Sequence, residues 1–125
     1  MIGTSRSVRV WAHPRPTDLR KGYNGLFALV RDEIEHDPLS GDLFLFVNRR
    51  RTGCKVLLWD GTGLCIFMKR LERGRFASLW ASGGDAVQLT QSELSLFIEG
   101  CQLVGRRSLS PSPMKLKELA PQLPM

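Results

Sequence analysis

The segment from residue 43 to residue 76 constrains the fold more than any other part of the chain. It contains three short apolar runs that are divided by two turn signals, Arg51-Thr52-Gly53 and Asp60-Gly61-Thr62-Gly63. Asp-Gly between apolar runs is a strong hairpin signal, because the central residues of a tight primed turn need positive φ. The segment therefore predicts an up-down-up antiparallel meander.

This meander would bring the basic residues of the segment to one end of the sheet. Residues 48–75 hold eight Lys or Arg against two acidic residues, a net charge of +6, which equals the formal net charge of the whole chain. A positive patch on a rigid sheet predicts a phosphate-rich partner. The alternative is a set of charges that only keeps a sheet edge soluble. The predicted nucleic-acid-binding residues are Arg49, Arg50, Arg51, Lys55, Lys69, Arg70, Arg73 and Arg75.

The residues before the meander predict one strand and one helix. Alternating apolar residues predict a strand over residues 7–12. Thr17 is a good N-cap for a helix over residues 18–35. Tyr23 lies on the apolar stripe of this helix and is therefore predicted to be in the core. The pair Asp37-Pro38 ends this helix, since a residue before proline leaves the α region. Its acidic last turn opposes the helix dipole and predicts a basic surface on the same chain or on another molecule.

The residues after the meander predict a short strand and a second helix. The strand covers residues 86–89, and Thr90 and Glu93 have the spacing of a capping box for a helix over residues 91–100. Together the elements predict an α+β fold. Its sheet is mostly antiparallel with four or five strands, a long helix packs on one face, and the short C-terminal helix lies near an edge.

Length and composition predict one folded domain with a tail. A chain of 125 residues with 42% hydrophobic residues can bury a core without a metal or disulfide. We expect the domain to cover residues 1–101. Residues 102–125 are rich in Ser, Pro and Lys and are predicted to be disordered, apart from a short helix around residues 114–120.

The cysteine and histidine pattern favours a reducing compartment and gives no metal site. Cys54, Cys65 and Cys101 form no CxxC pair, and their odd number suits the cytoplasm. His13 and His36 have no ligand spacing. We therefore expect no cofactor and no metal. The longest apolar runs are five residues, too short to span a membrane.

Five segments in a fixed order give the chain a resemblance to a known family. The segments are Arg9-Val10-Trp11 and residues 17–26, 37–51, 59–76 and 89–100. With these segments the chain resembles the small TnpB-type accessory protein, the second short open reading frame, of the insertion-sequence-sixty-six transposon family. The resemblance implies a bacterial protein that supports transposition beside a separate, larger transposase, with no family catalytic residues to carry over.

The acidic residues argue against an enzyme. Phosphoryl-transfer nucleases and transposases need two or three carboxylates that converge on divalent metals. Nine of the twelve acidic residues instead fall at turns, caps and one helix end, and the twelve offer no such convergence. Together with the basic patch, the resemblance implies an accessory protein without chemistry of its own that contacts transposon-end DNA, the transposase or both. A protein adaptor that never touches DNA, a small metal-dependent nuclease and association of two or more copies all stay open as alternatives.

Overall fold

The structure, a computed structural model, describes residues 7–80 and 84–100. Short apolar runs form the strands, and the capping box at Thr90 begins the last helix. In chain order the elements are β1 (Val10–Ala12), α1 (Tyr23–Leu29, continued by a π-helical turn over Val30–Ile34), β2 (Leu43–Val47), β3 (Gly53–Trp59), β4 (Leu64–Arg70), β5 (Val87–Leu89) and α2 (Gln91–Ile98).

The five strands form one sheet in the order β4-β3-β2-β1-β5. The predicted meander is confirmed, because β2 pairs antiparallel with β3 and β3 pairs antiparallel with β4. Strand β1 pairs parallel with β2 and antiparallel with β5. The parallel pair needs a crossover, which α1 supplies. The α+β prediction with a mostly antiparallel sheet is thus confirmed.

Strand β2 is the centre of the core because its two faces are both covered. Phe44 and Phe46 pack against α1, whereas Leu45 and Val47 face the segment after β4 and α2. All four side chains are at most 2% exposed. The uninterrupted apolar run of β2 predicts this double burial, which alternating strands on a sheet surface do not show.

The first helix begins later than predicted. It contains seven α-helical and five π-helical residues, and its N-cap is Gly22 with no side-chain cap. Thr17 is not the N-cap. Its N–H donates to the Val47 carbonyl oxygen at 2.8 Å, so the chain here continues along β2 before the helix begins. The prediction that Tyr23 lies in the core is also wrong, because this residue in the first turn is 51% exposed.

The acidic end of the first helix has a basic counterpart on the same chain. The Glu33 carboxylate accepts hydrogen bonds from His13 Nε2 at 2.7 Å and from Arg15 Nη2 at 2.8 Å. His13 is 3% exposed and follows β1 directly, so the contact ties the helix to the sheet. These two bonds hold the pKa of Glu33 below its usual range, and the bond from His13 has the larger effect.

Helix α2 has the predicted capping box. The Glu93 N–H donates to Thr90 Oγ1 at 3.0 Å, and the Thr90 N–H donates to Glu93 Oε1 at 2.8 Å. Gly100 has φ of +78°, which ends the helix in the left-handed region. Phe97 stacks on Phe76 with ring centroids 4.8 Å apart. Both rings pack in the core on the sheet face that carries Leu45 and Val47.

The predicted tail over residues 102–125, its short helix and Cys101 lie outside the described residues. Cys54 is buried in β3, and this burial raises the pKa of its thiol to about 11. None of the helices in residues 7–80 and 84–100 has the length and apolar character of a membrane span.

Candidate nucleic-acid interface

The turn between β2 and β3 is built around the side chain of Asn48. Its Oδ1 accepts hydrogen bonds from the N–H groups of Thr52 at 2.9 Å and Gly53 at 3.1 Å. The Asn48 carbonyl oxygen accepts from the Arg51 N–H at 3.0 Å, and Arg51 has a left-handed φ of 61°. Asn is well suited to such a turn because its short side chain replaces main-chain bonds. The turn therefore has a fixed shape while it carries three consecutive arginines.

The segment that follows β4 is fastened to this turn at two points. The Leu71 N–H donates to the Thr52 carbonyl oxygen at 2.8 Å, and the Phe76 N–H donates to the Arg51 carbonyl oxygen at 2.7 Å. Arg51 Nη1 also donates to the Phe76 carbonyl oxygen at 3.1 Å. The loop between the two anchors must therefore lie beside the turn, and it carries two further arginines.

Strand pairing completes the arrangement. Gly53 is paired with Arg70 and Cys54 with Lys69, so the end of β4 lies next to the start of β3. The structure thus brings the predicted residues to one end of the sheet. We call this set the basic corner: Arg49, Arg50, Arg51, Lys55, Lys69, Arg70, Arg73 and Arg75.

Three members of the basic corner make hydrogen bonds within the protein. Lys55 Nζ donates to the Lys21 carbonyl oxygen at 2.9 Å, and Lys69 Nζ donates to the Ile98 carbonyl oxygen at 2.8 Å. Because Lys69 pairs across from Cys54, which precedes Lys55, the two lysines lie on opposite faces of the sheet. Like Arg51, which donates to the Phe76 carbonyl oxygen, both lysines link separate segments of the fold.

The other five members extend into solvent; we call them the outward arginines. In the part of the chain that the structure describes, the closest carboxylate contact among them is Arg70 to Glu72 at 3.8 Å, between side chains 78% and 83% exposed. Such a contact is worth little in water. The charge at this corner is therefore largely uncompensated. The outward arginines are Arg49, Arg50, Arg70, Arg73 and Arg75.

An open groove of about 720 Å³ adjoins the outward arginines. Its walls come from residues 16–20 and 48–50, and Met68 also lines it. Arg20 Nη2 donates to Asp18 Oδ2 at 2.7 Å, and this pairing keeps the pKa of Asp18 well below its usual range. Since that ion pair is neutral as a unit, the turn arginines supply the positive charge of the groove.

The acidic residues form no cluster at this corner. Within residues 7–80 and 84–100, no group of three or more His, Cys, Asp or Glu residues could hold a metal ion. Asp60 lies at the opposite end of the sheet, where its carboxylate accepts from the N–H groups of Thr62 and Gly63 at 2.9 Å. These bonds lower the pKa of Asp60 to about 2, so Asp60 serves the turn.

Sequence reasoning missed the groove and the internal use of the two lysines. The groove exists because the 2.8 Å bond between Thr17 and Val47 brings two distant loops together. No periodic pattern in the sequence signals such a contact. The bonds made by Lys55 and Lys69 end on main-chain carbonyl oxygens, which every residue offers, so they too leave no trace in the sequence.

The fold and the corner define a small, basic α+β protein with an arginine-rich loop surface. A profile of IS66 Orf2-like proteins matches residues 8–108, and the chain belongs to this family. The family implies an accessory role in transposition, as the resemblance predicted.

Two similar proteins come from Sinorhizobium fredii (strain NBRC 101917 / NGR234), and both are described as uncharacterized. The protein y4hO is 39% identical over 100 residues, which cover 80% of this chain and 86% of y4hO. The protein y4jC is 38% identical over 100 residues, which cover 80% of this chain and 85% of y4jC. No solved structure gives a significant match.

Proposed function

We propose that this protein is a non-catalytic accessory factor that binds DNA during transposition through its outward arginines. The observation that carries the proposal is the double anchoring of residues 71–76 on the Arg51 turn. This anchoring places the arginines of the β2–β3 turn beside those of the segment after β4, and few carboxylates neutralise the charge of the resulting surface. Membership of the IS66 Orf2-like family points to transposition, a process whose substrate is DNA.

The outward arginines suit the phosphate backbone. A guanidinium group can donate two parallel hydrogen bonds to one phosphate, and it stays charged at every physiological pH. Contacts of this kind set position and orientation on a duplex but read no bases. The protein would therefore bind DNA with little sequence preference in the cytoplasm, and the separate transposase would select the transposon ends.

A second candidate function is an adaptor that binds the transposase and not DNA. Met68 favours it, because this groove residue is 60% exposed beside the turn arginines. Exposed methionine and arginine together are typical of protein interfaces. The two functions differ in their response to free DNA.

A charge-matched pair of double variants tests the proposal. R49A/R50A removes two outward arginines, whereas R9A/R31A removes two exposed arginines elsewhere in the protein. Fluorescence anisotropy with transposon-end and scrambled duplexes should show about 10-fold or greater loss for R49A/R50A, on both sequences and at about 0.1 M salt. R9A/R31A should retain most of the affinity. Equal losses for the two variants would contradict the proposal, and no binding by the unaltered protein would favour the adaptor.

A further inference from the structure

Strand β4 is an open edge of the sheet. It is the last strand in the order β4-β3-β2-β1-β5, so among the described residues no strand pairs with its outer side. Its seven residues begin with five apolar ones, and Phe67 and Met68 are 47% and 60% exposed. Consecutive strand residues point to opposite faces, so the edge is apolar on both of them. Long apolar edges of this kind pair with other chains unless something blocks them.

We propose that β4 pairs antiparallel with β4 of a second copy, about a twofold axis at Phe67. The two sheets then join into one sheet of ten strands. The register places Phe67 opposite its own counterpart, Ile66 opposite Met68, and Leu64 opposite Arg70. This centre pairs all seven residues of the strand, and twofold pairing closes the assembly as a dimer.

Charge favours a second copy in this orientation. Asp60 lies in the turn before β4, and Arg70 lies at the end of β4, so the strand is acidic at one end and basic at the other. Antiparallel pairing brings each acidic turn beside the basic end of the other strand. Parallel pairing would place the two arginine-rich ends together, which like-charge repulsion disfavours.

The side chains of the edge are also self-complementary. On the α1 face, Met68 of each copy would cover Ile66 of the other, and on the opposite face the two Phe67 rings would meet. Aromatic pairs directly across an antiparallel pair stabilise it beyond their burial. The half-exposed residues of β4 would thereby lose their contact with water.

The dimer would place Arg70 of each copy beside the acidic turn of the other and would leave Arg49 and Arg50, which lie before β3, away from the joined edge. The two Arg70 Cα atoms would lie roughly 20 Å apart along the strands, because six residues separate the register positions. The corners would then face opposite ends of the joined sheet. The edge shares Met68 with the groove and Arg70 with the outward arginines, but the inference does not rest on DNA binding.

Cysteine cross-linking of the full chain tests the pairing and its register. In a C65S/C101S background, F67C places two thiols on the axis, within disulfide reach. M68C is the matched control, because its two Cα atoms would lie about 8 Å apart, beyond that reach. Mild oxidation without DNA should convert most of F67C to a dimer and leave M68C monomeric. Equal cross-linking of both variants would overturn the proposed register.

Light scattering of the unaltered protein tests the dimer itself. An edge-strand contact is smaller than a standard interface, so the mass is measured at about 100 μM protein. We expect a dimer that F67K converts to a monomer with an unchanged circular dichroism spectrum. A monomeric unaltered protein would overturn the proposal and leave the edge to another occupant, such as the C-terminal residues or the transposase. A dimer that F67K leaves intact would also overturn it.

Discussion

Lys69 Nζ donates a 2.8 Å hydrogen bond to the carbonyl oxygen of Ile98, the last residue of α2. Lys69, which the sequence predicts to lie on a binding surface, thus caps the C-terminal end of α2. The last carbonyl groups of a helix have no partners within it, and they carry partial negative charge. The bond therefore stabilises α2 and holds it against β4.

Lys69→Met should lower the free energy of unfolding by about 1 kcal/mol, the usual value of such a bond. Arg70→Met is the matched control, because Arg70 is the next residue of β4 and its side chain is exposed. We expect its effect on stability to be under about 0.5 kcal/mol. Urea unfolding of both variants measures the difference. Equal stability of the two variants would show that the Lys69 bond contributes nothing.

Arg51 should be more sensitive to alanine than to glycine. Alanine removes the bond to the Phe76 carbonyl oxygen and keeps the left-handed φ of 61°. Glycine also removes the bond, but it relieves about 1 kcal/mol of backbone strain. We expect Arg51→Ala to cost about 1 kcal/mol and Arg51→Gly to cost clearly less. Thermal unfolding checks this order, and a less stable glycine variant would contradict it.

Glu33 should make stability depend on pH. Because its pKa is lowered in the folded state, its contribution is complete above the unfolded pKa of about 4.3 and is lost as pH falls through the folded value. Glu33→Gln should therefore cost about 1 kcal/mol at pH 7, a value reduced for partial exposure. The difference from the unaltered protein should shrink below about pH 4. A difference that stays constant with pH would rule out the ionised pair.

Thr17→Val should raise stability. The Thr17 hydroxyl is buried and has no hydrogen-bond partner among the described residues. A buried hydroxyl without a partner costs about 1 kcal/mol or more, and valine has nearly the same shape. The Thr17 N–H bond to Val47 is unaffected by the change. Urea unfolding should show a gain of about 1 kcal/mol. A loss would mean that the hydroxyl is bonded in solution.

The parts of the fold that follow local rules were predictable. The apolar run of β2, the Asp60 turn and the Thr90 capping box each signal their structure within a few residues, and all three are confirmed. The start of the first helix was not predictable. There the 2.8 Å bond from Thr17 to the distant Val47 outweighs a good local capping signal.

In the candidate site, too, local sequence signals predict some features, whereas contacts between distant residues determine others. Two hairpins were enough to predict that Arg49 and Arg70 lie at one end of the sheet. The bond of Lys55 depends on the position of Lys21, just before α1, and the bond of Lys69 depends on the position of α2, so local rules cannot give them. Of the eight predicted residues, three are hydrogen-bonded within the protein and five extend into solvent.

The most direct test of the account is the salt dependence of DNA binding. If the outward arginines each neutralise one phosphate, log K should fall against log[salt] with a slope of about −4.5, the same for transposon-end and scrambled duplexes. R49A/R50A should change the slope to about −2.7, and R9A/R31A should leave it near −4.5. Binding without salt dependence, or an equal slope for R49A/R50A and the unaltered protein, would contradict the account.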